Sequence, residues 1–258
     1  MKKQDRNERI LEELNIRKKL STEQVTDMLG ISESSTRRIF LELEKAGKVV
    51  RTFGGIHLAQ PANASYRFED FESKNLEQKR QIAAYSCSLI EEDDIVYFDS
   101  GTTILQLAIA VRQKLNSRLL SHIRVITNSF ANLQVLHESC EVILIGGQYR
   151  PGRKDFAGYA AERFVQNFNY KKSFLGADGF DISEGYMATD TNTAKLNEII
   201  YKRSEQCFAL LDSSKLGVRS FVSYADISDI KTIITDANIN PDMELMCAQA
   251  GLSVLNTK

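Results

Sequence analysis

The stretch IVYFDSGTTILQLA, residues 95–108, sets Asp99-Ser100-Gly101-Thr102-Thr103 between four apolar residues and a run with helical spacing. Such a turn can hold an anion. Backbone N–H groups project from the first turn of a helix, hydroxyls add donors, the helix dipole favours negative charge, and Gly101 has no side chain to keep a ligand away. Alone, the segment is equally well explained as a capped helix start, with Ser100 or Thr102 as the capping residue. Other polar turns follow other apolar runs: Thr127-Asn128-Ser129, Gly146-Gly147, Gly176-Ala-Asp178-Gly179, Asp212-Ser-Ser-Lys215 and Thr235-Asp236.

These turns act together only if the segments between them bring their ends to one place. Residues 77–90 read as a helix, 95–98 as a strand, 104–115 as a helix and 124–126 as a strand. Residues 130–137 read as a helix and 142–145 as a strand. Strands near 174–175, 207–211 and 232–234 follow, with 192–203 helical between the first two. Alternation of this kind predicts an α/β domain with a largely parallel sheet. In such a sheet the carboxyl ends of the strands open onto a common crevice, where ligands bind. The spacing therefore predicts a small-molecule pocket. Tyr149, Arg150 and Arg153 lie in QYRPGRKDF, which reads as a solvated loop or as a mobile one that reaches the ligand.

The amino-terminal third has a different pattern. A packing helix beginning near Asp5 carries Ile10, Leu11, Leu14 and Leu20. Ser21 or Thr22 can cap a second helix, with Gln24 near the capping-box position and a stop at Gly30. Ser32 or Ser34 can cap a third helix, whose apolar side is Ile39, Phe40 and Leu43, up to Ala46 and Gly47. Two short helices across a glycine-containing turn form a helix-turn-helix, whose second helix enters the major groove. Ser34-Ser35-Thr36-Arg37-Arg38 stands at its exposed start, where hydroxyls approach bases and arginine grips guanine or phosphate. Lys48 to His57, around Gly54-Gly55, predicts a hairpin or wing.

At 258 residues, 29.1 kDa and 43% hydrophobic content, the chain is long enough for two domains. Residues 1–57 predict the winged domain, 58–75 a linker and 76–258 an effector-binding and oligomerisation domain. A net charge of −1 conceals an asymmetry: residues 1–57 hold 12 Lys and Arg against 9 Asp and Glu, the remainder 21 against 25. Any attraction to phosphate backbones therefore resides at the amino-terminal end. Cys87, Cys140, Cys207 and Cys247 are scattered, with no metal-binding or disulfide spacing, so no metal and no cofactor is expected. Residues 1–20 are too charged for a signal peptide and no apolar run approaches a membrane span, so a soluble cytoplasmic protein with no membrane contact is expected.

The stretch LSTEQVTDMLGISESSTRRIFLELEKAGKVVRTFGG resembles the amino-terminal domain of the DeoR-type family of bacterial transcriptional regulators. It keeps Thr36-Arg37-Arg38, Gly47 and Gly54-Gly55, but has Ile39-Phe40 where the family has Asp-Leu and Phe53 where it has histidine. DSGTT, TNS, GG, LGADGFD and DSSKLG stand in the order of the family's second domain, so the resemblance spans nearly the whole chain.

What the resemblance implies is a winged helix-turn-helix followed by an α/β sensing domain similar to ribose-5-phosphate isomerase. Its partners would be double-stranded operator DNA, a phosphorylated sugar and further copies of the chain as a dimer or tetramer. Ser100 to Thr103 would hold phosphate, with Asn128, Gly147, Asp178 and Lys215 around the sugar. Candidate DNA contacts are thus Thr22, Ser32, Ser34, Ser35, Thr36, Arg37, Arg38, Arg51, Gly54 and Gly55. Candidate effector contacts are Asp99, Ser100, Gly101, Thr102, Thr103, Thr127, Asn128, Gly146, Gly147, Asp178, Gly179 and Lys215.

Two functional classes fit these residues. One is a regulator, a repressor of sugar-uptake or catabolic genes whose operator affinity a sugar phosphate controls. The other is a sugar-phosphate isomerase with an appended DNA-binding domain, using Asp99 or Asp178 as base and Lys215 as electrophile. GYMATDTNTAKLNE offers only Asp190 and Glu198 where such isomerases keep a catalytic glutamate, so regulation without catalysis is the expectation.

Overall fold

In the computed structural model, residues 3–17, 19–45, 48–52, 54–58 and 66–257 are described. The chain divides into two compact units, residues 1–64 with 217–219, and the remainder. Gly47 and Phe53, two of the positions compared above with the family pattern, lie outside the described residues.

The first unit runs α1 (Lys3–Arg17), β1 (Lys19–Ser21), α2 (Thr22–Leu29), α3 (Glu33–Lys45), β2 (Val49–Thr52) and β3 (Gly55–Leu58). Ser21 caps α2: its Oγ accepts the Gln24 N–H at 3.0 Å, and the Gln24 side chain accepts the Ser21 N–H at 2.8 Å. Gly30 ends the helix in the left-handed conformation, φ 61°, where a Cβ would be strained. The Ser32 Oγ accepts the Ser35 N–H at 3.3 Å and opens α3. The wing strands β2 and β3 pair antiparallel, with β1 added on the other side of β3. Gly55 is required there, because a Cβ would fall 2.2 Å from the Leu20 carbonyl oxygen. Ile10, Leu14, Val25, Phe40, Leu43, Val49 and Ile56 bury together as the core. Ile39 and Phe40, in place of the family's Asp-Leu, are both buried in it.

The second unit opens with α4 (Phe68–Glu72) and α5 (Leu76–Ser88), then β4 (Ile95–Phe98), α6 (Thr102–Asn116), β5 (Arg124–Thr127), α7 (Phe130–Leu136) and β6 (Glu141–Leu144). A hairpin of β7 (Gln148–Arg150) and β8 (Asp155–Ala157) leads to α8 (Tyr159–Val165) and β9 (Tyr170–Leu175). Then come β10 (Gly179–Asp181), β11 (Gly185–Ala188), α9 (Thr191–Lys202), β12 (Ser204–Leu210), β13 (Val222–Ala225), β14 (Thr232–Asp236), α10 (Pro241–Gln249) and β15 (Ser253–Thr257).

The main sheet has the order β15-β14-β12-β9-β4-β5-β6, and all its pairings are parallel. Period-two alternation divides its side chains. Val96, Phe98, Val125 and Phe174 pack with Ile82 of α5 and Ile104, Leu107 and Val111 of α6. Tyr97, Ile126, Leu175 and Ala209 pack on the other face with residues of α8, α9 and α10. Chain order runs from β4 through β5 to β6 in one direction, and from β9 outward in the other. The reversal between β4 and β9 is where a doubly wound sheet opens a ligand crevice.

Two expectations are corrected here. Residues 66–75, expected as linker, fold into the second unit: Phe68 is buried against Leu105 and Ala131. A ten-residue stretch with three aromatics is too short to show helical periodicity. Residues 148–156, expected as a solvated loop or a mobile one that reaches the ligand, fall in the β7–β8 hairpin, with Asp155 fully buried. The small antiparallel sheet β10-β11-β13 and the elements α8, α10 and β15 were not foreseen.

Candidate functional site

Asp99 follows β4 directly and spans the switch point. Its carboxylate accepts the Ser100 N–H at 2.7 Å and, across on the β9 side, the Gly176 N–H at 3.0 Å. Burial raises its pKa, against the lowering effect of those two N–H groups, with Asp155 adding a further rise. Gly101 then caps α6 without a side-chain bond, so the first N–H groups of the helix have no intrahelical acceptor. Thr102 and Thr103 are buried, and among the described residues neither hydroxyl has a hydrogen-bond partner. All four residues from Ser100 to Thr103 line a cleft open to solvent.

Asp178 and Lys215 line the same cleft. The Asp178 Oδ2 accepts both the N–H and the hydroxyl of Thr189 at 2.9 Å, and faces Arg153 at 3.6 Å. Lys79 is buried, and its pKa is lowered to about 8: burial is the main cause, Asp212 opposes it, and Lys215 and Lys74 lower it further. Lys74, Lys79, Arg153 and Lys215 thus bring four cations to a cleft whose carboxylates are Asp99, Asp178 and Asp212. Behind the turn, the Ser100 hydroxyl donates to Asp155 at 2.8 Å, and Arg150 grips Asp155 at 2.7 and 2.6 Å. Arg150 continues to Asp190 at 2.7 Å and the Thr193 hydroxyl at 2.9 Å.

Five sequence-chosen residues lie elsewhere. Thr127, Asn128, Gly146, Gly147 and Gly179 do not line the cleft. β5 and β6 lie beyond the switch point, so their polar turns serve the scaffold. The Thr127 hydroxyl donates to the Phe98 carbonyl at 2.6 Å; Asn128 joins the Tyr97 hydroxyl at 2.9 Å to the Phe156 carbonyl at 3.0 Å. A Cβ on Gly147 would fall 2.7 Å from the Ala157 carbonyl oxygen, and Gly179 pairs with Met187 in the small sheet. Sequence reasoning missed Tyr66, Phe71, Lys74 and Lys79, all of which line the cleft. A signal existed for Lys79, which falls three and four residues before the buried Ile82 and Ala83, on the inward face of α5.

In the first unit, α3 presents Ser34, Arg37 and Arg38 to solvent, with Ser32 exposed at its start. Arg37 is loosely paired with Glu33 one turn earlier, at 3.5 Å. Thr36 is corrected from a base-facing residue to a structural one. It is fully buried, shares a 3.0 Å bond with the Thr26 hydroxyl and donates to the Ser32 carbonyl at 3.2 Å, fixing α3 on α2. Thr22 is likewise buried; its hydroxyl donates to the Gly54 carbonyl at 3.1 Å, tying the start of α2 to the wing turn. Arg51 leaves the wing toward Glu44, at 3.0 Å. Among the described residues there is no His, Cys, Asp and Glu cluster that could hold a metal ion, and no helix is long and apolar enough to cross a membrane.

The DeoR-like helix-turn-helix domain model matches residues 6–62, and the DeoR C terminal sensor domain model matches residues 74–237. The chain is 31% identical to the HTH-type transcriptional regulator GlpR of Haloferax volcanii, over 98% of this chain and 97% of that protein. It is also 31% identical to the lactose phosphotransferase system repressor of Lactococcus lactis subsp. lactis, over 93% of this chain and 94% of that one. Ribose 5-phosphate isomerase A of Methanocaldococcus jannaschii, at 14% identity, superposes with a TM-score of 0.42 over 55% of each chain.

Proposed function

The chain belongs to the DeoR family of DNA-binding transcriptional regulators, and from that premise we propose that it represses genes of sugar uptake or catabolism under the control of a phosphorylated sugar or related metabolite. The relative named as a lactose phosphotransferase system repressor supports a sugar-linked role. One observation carries the effector reading: Thr102 and Thr103, whose hydroxyls have no hydrogen-bond partner among the described residues, stand at the start of α6 and line a cleft that also gathers Lys79, Lys215 and Arg153. An anion placed there gains hydrogen bonds and relieves the mutual repulsion of the cations.

The protein acts as a homo-oligomer, a dimer or tetramer, in the cytoplasm. A helix-turn-helix covers only a half-site, and symmetric operators require paired reading heads. Ser34, Arg37 and Arg38 read the groove, and Arg51 and the Gly54-Gly55 turn meet the backbone.

The cleft binds without catalysing. Asp178 is engaged by Thr189 and Arg153, which suits it to accept sugar hydroxyls rather than a carbon-bound proton. For Asp190, burial pushes the pKa up, but Arg153, the Thr193 N–H and Arg150 outweigh it and hold the carboxyl below its usual range. Glu198 is tied to Lys195 and Lys202 and lines no part of the cleft.

Thermal-shift screening of sugar phosphates beside their parent sugars tests the reading. A phosphorylated ligand at about 100 times its Kd stabilises the fold by about 2.7 kcal/mol, while the parent sugar gives no comparable shift. Equal shifts from both would remove the phosphate from the account.

A further inference from the structure

The wall of the cleft contains the very segment that leads to the reading head. Tyr66 and Phe71 line the cleft, and their rings stack at 4.8 Å with 7° between planes. Amino-terminal to Tyr66, the chain continues to the winged helix-turn-helix. The segment is anchored on the β7–β8 hairpin: the Phe68 N–H donates to the Gly152 carbonyl at 2.7 Å, and Lys154 pairs with Glu69 at 3.1 Å.

Three further holds on this strap come from cations of the cleft. The Arg153 guanidinium lies over the Tyr66 ring at 4.0 Å, the Lys215 ammonium over the Phe71 ring at 5.2 Å, and the Lys79 ammonium donates to the Phe71 carbonyl. Ring faces and a neutral carbonyl are weaker partners for these groups than an anionic oxygen. Arg153 is also held by Asp190 at 3.1 Å and faces Asp178 at 3.6 Å, so a ligand anion and the strap compete most directly for Lys79 and Lys215.

We propose that residues 66–72 are the element through which the cleft governs the DNA-binding unit, with Tyr66 and Phe71 as its sensing residues. Anion binding draws Lys79 and Lys215 from Phe71 and loosens the strap from the hairpin. This rests on the effector reading above, and it supplies what any coupling requires: a contact set that differs between the two states.

Hydrogen exchange on the full chain, with and without inorganic phosphate, tests it. Phosphate slows exchange over residues 99–105 and speeds it over 66–72 by about threefold or more, as expected for a locally released segment. Slowing at 99–105 with unchanged or slower exchange at 66–72 overturns the strap and leaves the effector reading standing. No slowing at 99–105 at any phosphate concentration contradicts both. A second arm needs no ligand. In Gly152→Ala the new Cβ meets the Tyr66 carbonyl oxygen at 2.7 Å, so the variant exchanges faster at 66–72 without phosphate. Wild-type exchange there would show that the hairpin does not hold the strap.

Discussion

Ser100 donates its hydroxyl to the fully buried carboxylate of Asp155 at 2.8 Å, so the anion-holding turn and the β7–β8 hairpin share one hydrogen-bonded network. Asp155 is in turn held by Arg150 through two bonds. The turn is thus positioned from behind by a charge pair, and not by its own helix cap alone. Asp155→Ala removes the carboxylate and leaves the largely buried Arg150 short of its main partner. The expected loss is about 3 kcal/mol or more in urea unfolding, the usual cost of breaking a buried pair from one side. A loss below about 1 kcal/mol would show the network to be ornamental.

Lys79 gives the cleft a pH dependence. Its pKa of about 8 is set by burial and by Lys215 and Lys74, against Asp212 and Glu72. An anion favours the charged form, so binding raises this pKa and takes up a proton near pH 8; affinity falls as pH rises through about 8. For stability the sign is opposite to that of an ordinary ion-paired lysine. The folded pKa lies below the unfolded one, so the folded protein gains stability as pH rises from about 8 toward the ordinary lysine range. Titration calorimetry in buffers of different ionisation enthalpy reads the uptake directly. Uptake that persists in Lys79→Met would assign the proton elsewhere.

On α3, Arg37 and Arg38 are solvent-facing while Thr36 is buried between the two helices of the motif. Arg38→Ala is expected to cost about 1 to 3 kcal/mol of DNA affinity if it grips a base, and to reduce the salt slope by about one if it meets phosphate. Thr36→Val instead leaves the Thr26 hydroxyl without its partner inside the motif, while the Ser32 carbonyl keeps the backbone N–H of residue 36 at 2.9 Å. It is expected to lower stability by about 1 to 3 kcal/mol. A Thr36→Val protein of wild-type stability with altered base preference would restore Thr36 to the reading surface.

Legibility in the sequence followed the length of each pattern. The capping box at Ser21 and Gln24, the Gly30 stop and the strand-turn-helix from Ile95 onward were all readable, because each is a local arrangement with a local cause. The polar turns at Thr127-Asn128 and Gly146-Gly147 show why the pocket was only partly readable. A hydroxyl or amide after a strand looks the same whether it faces ligand or holds the scaffold, and strand order decides between them. The strap was not legible, and of the hairpin only the reach of Arg153 to the cleft was. Tyr66, Phe68 and Phe71 have no periodicity long enough to announce a helix, and Asp155 becomes a buried anchor only once Arg150 and Ser100 converge on it from distant or reversed chain.

The central claim is that the Thr102–Thr103 turn holds the anion of an effector that controls DNA binding. Its most direct test is the affinity of the full chain for a DNA site selected from a random pool, measured with and without its best-stabilising sugar phosphate, in wild type and in a Thr102→Val, Thr103→Val double variant. A change of about tenfold or more is expected in the wild type, within the usual range of coupling between sites. The double variant should keep wild-type affinity in the absence of ligand and lose the response. An undiminished response in that variant, or a folded variant unable to bind DNA without ligand, would contradict it.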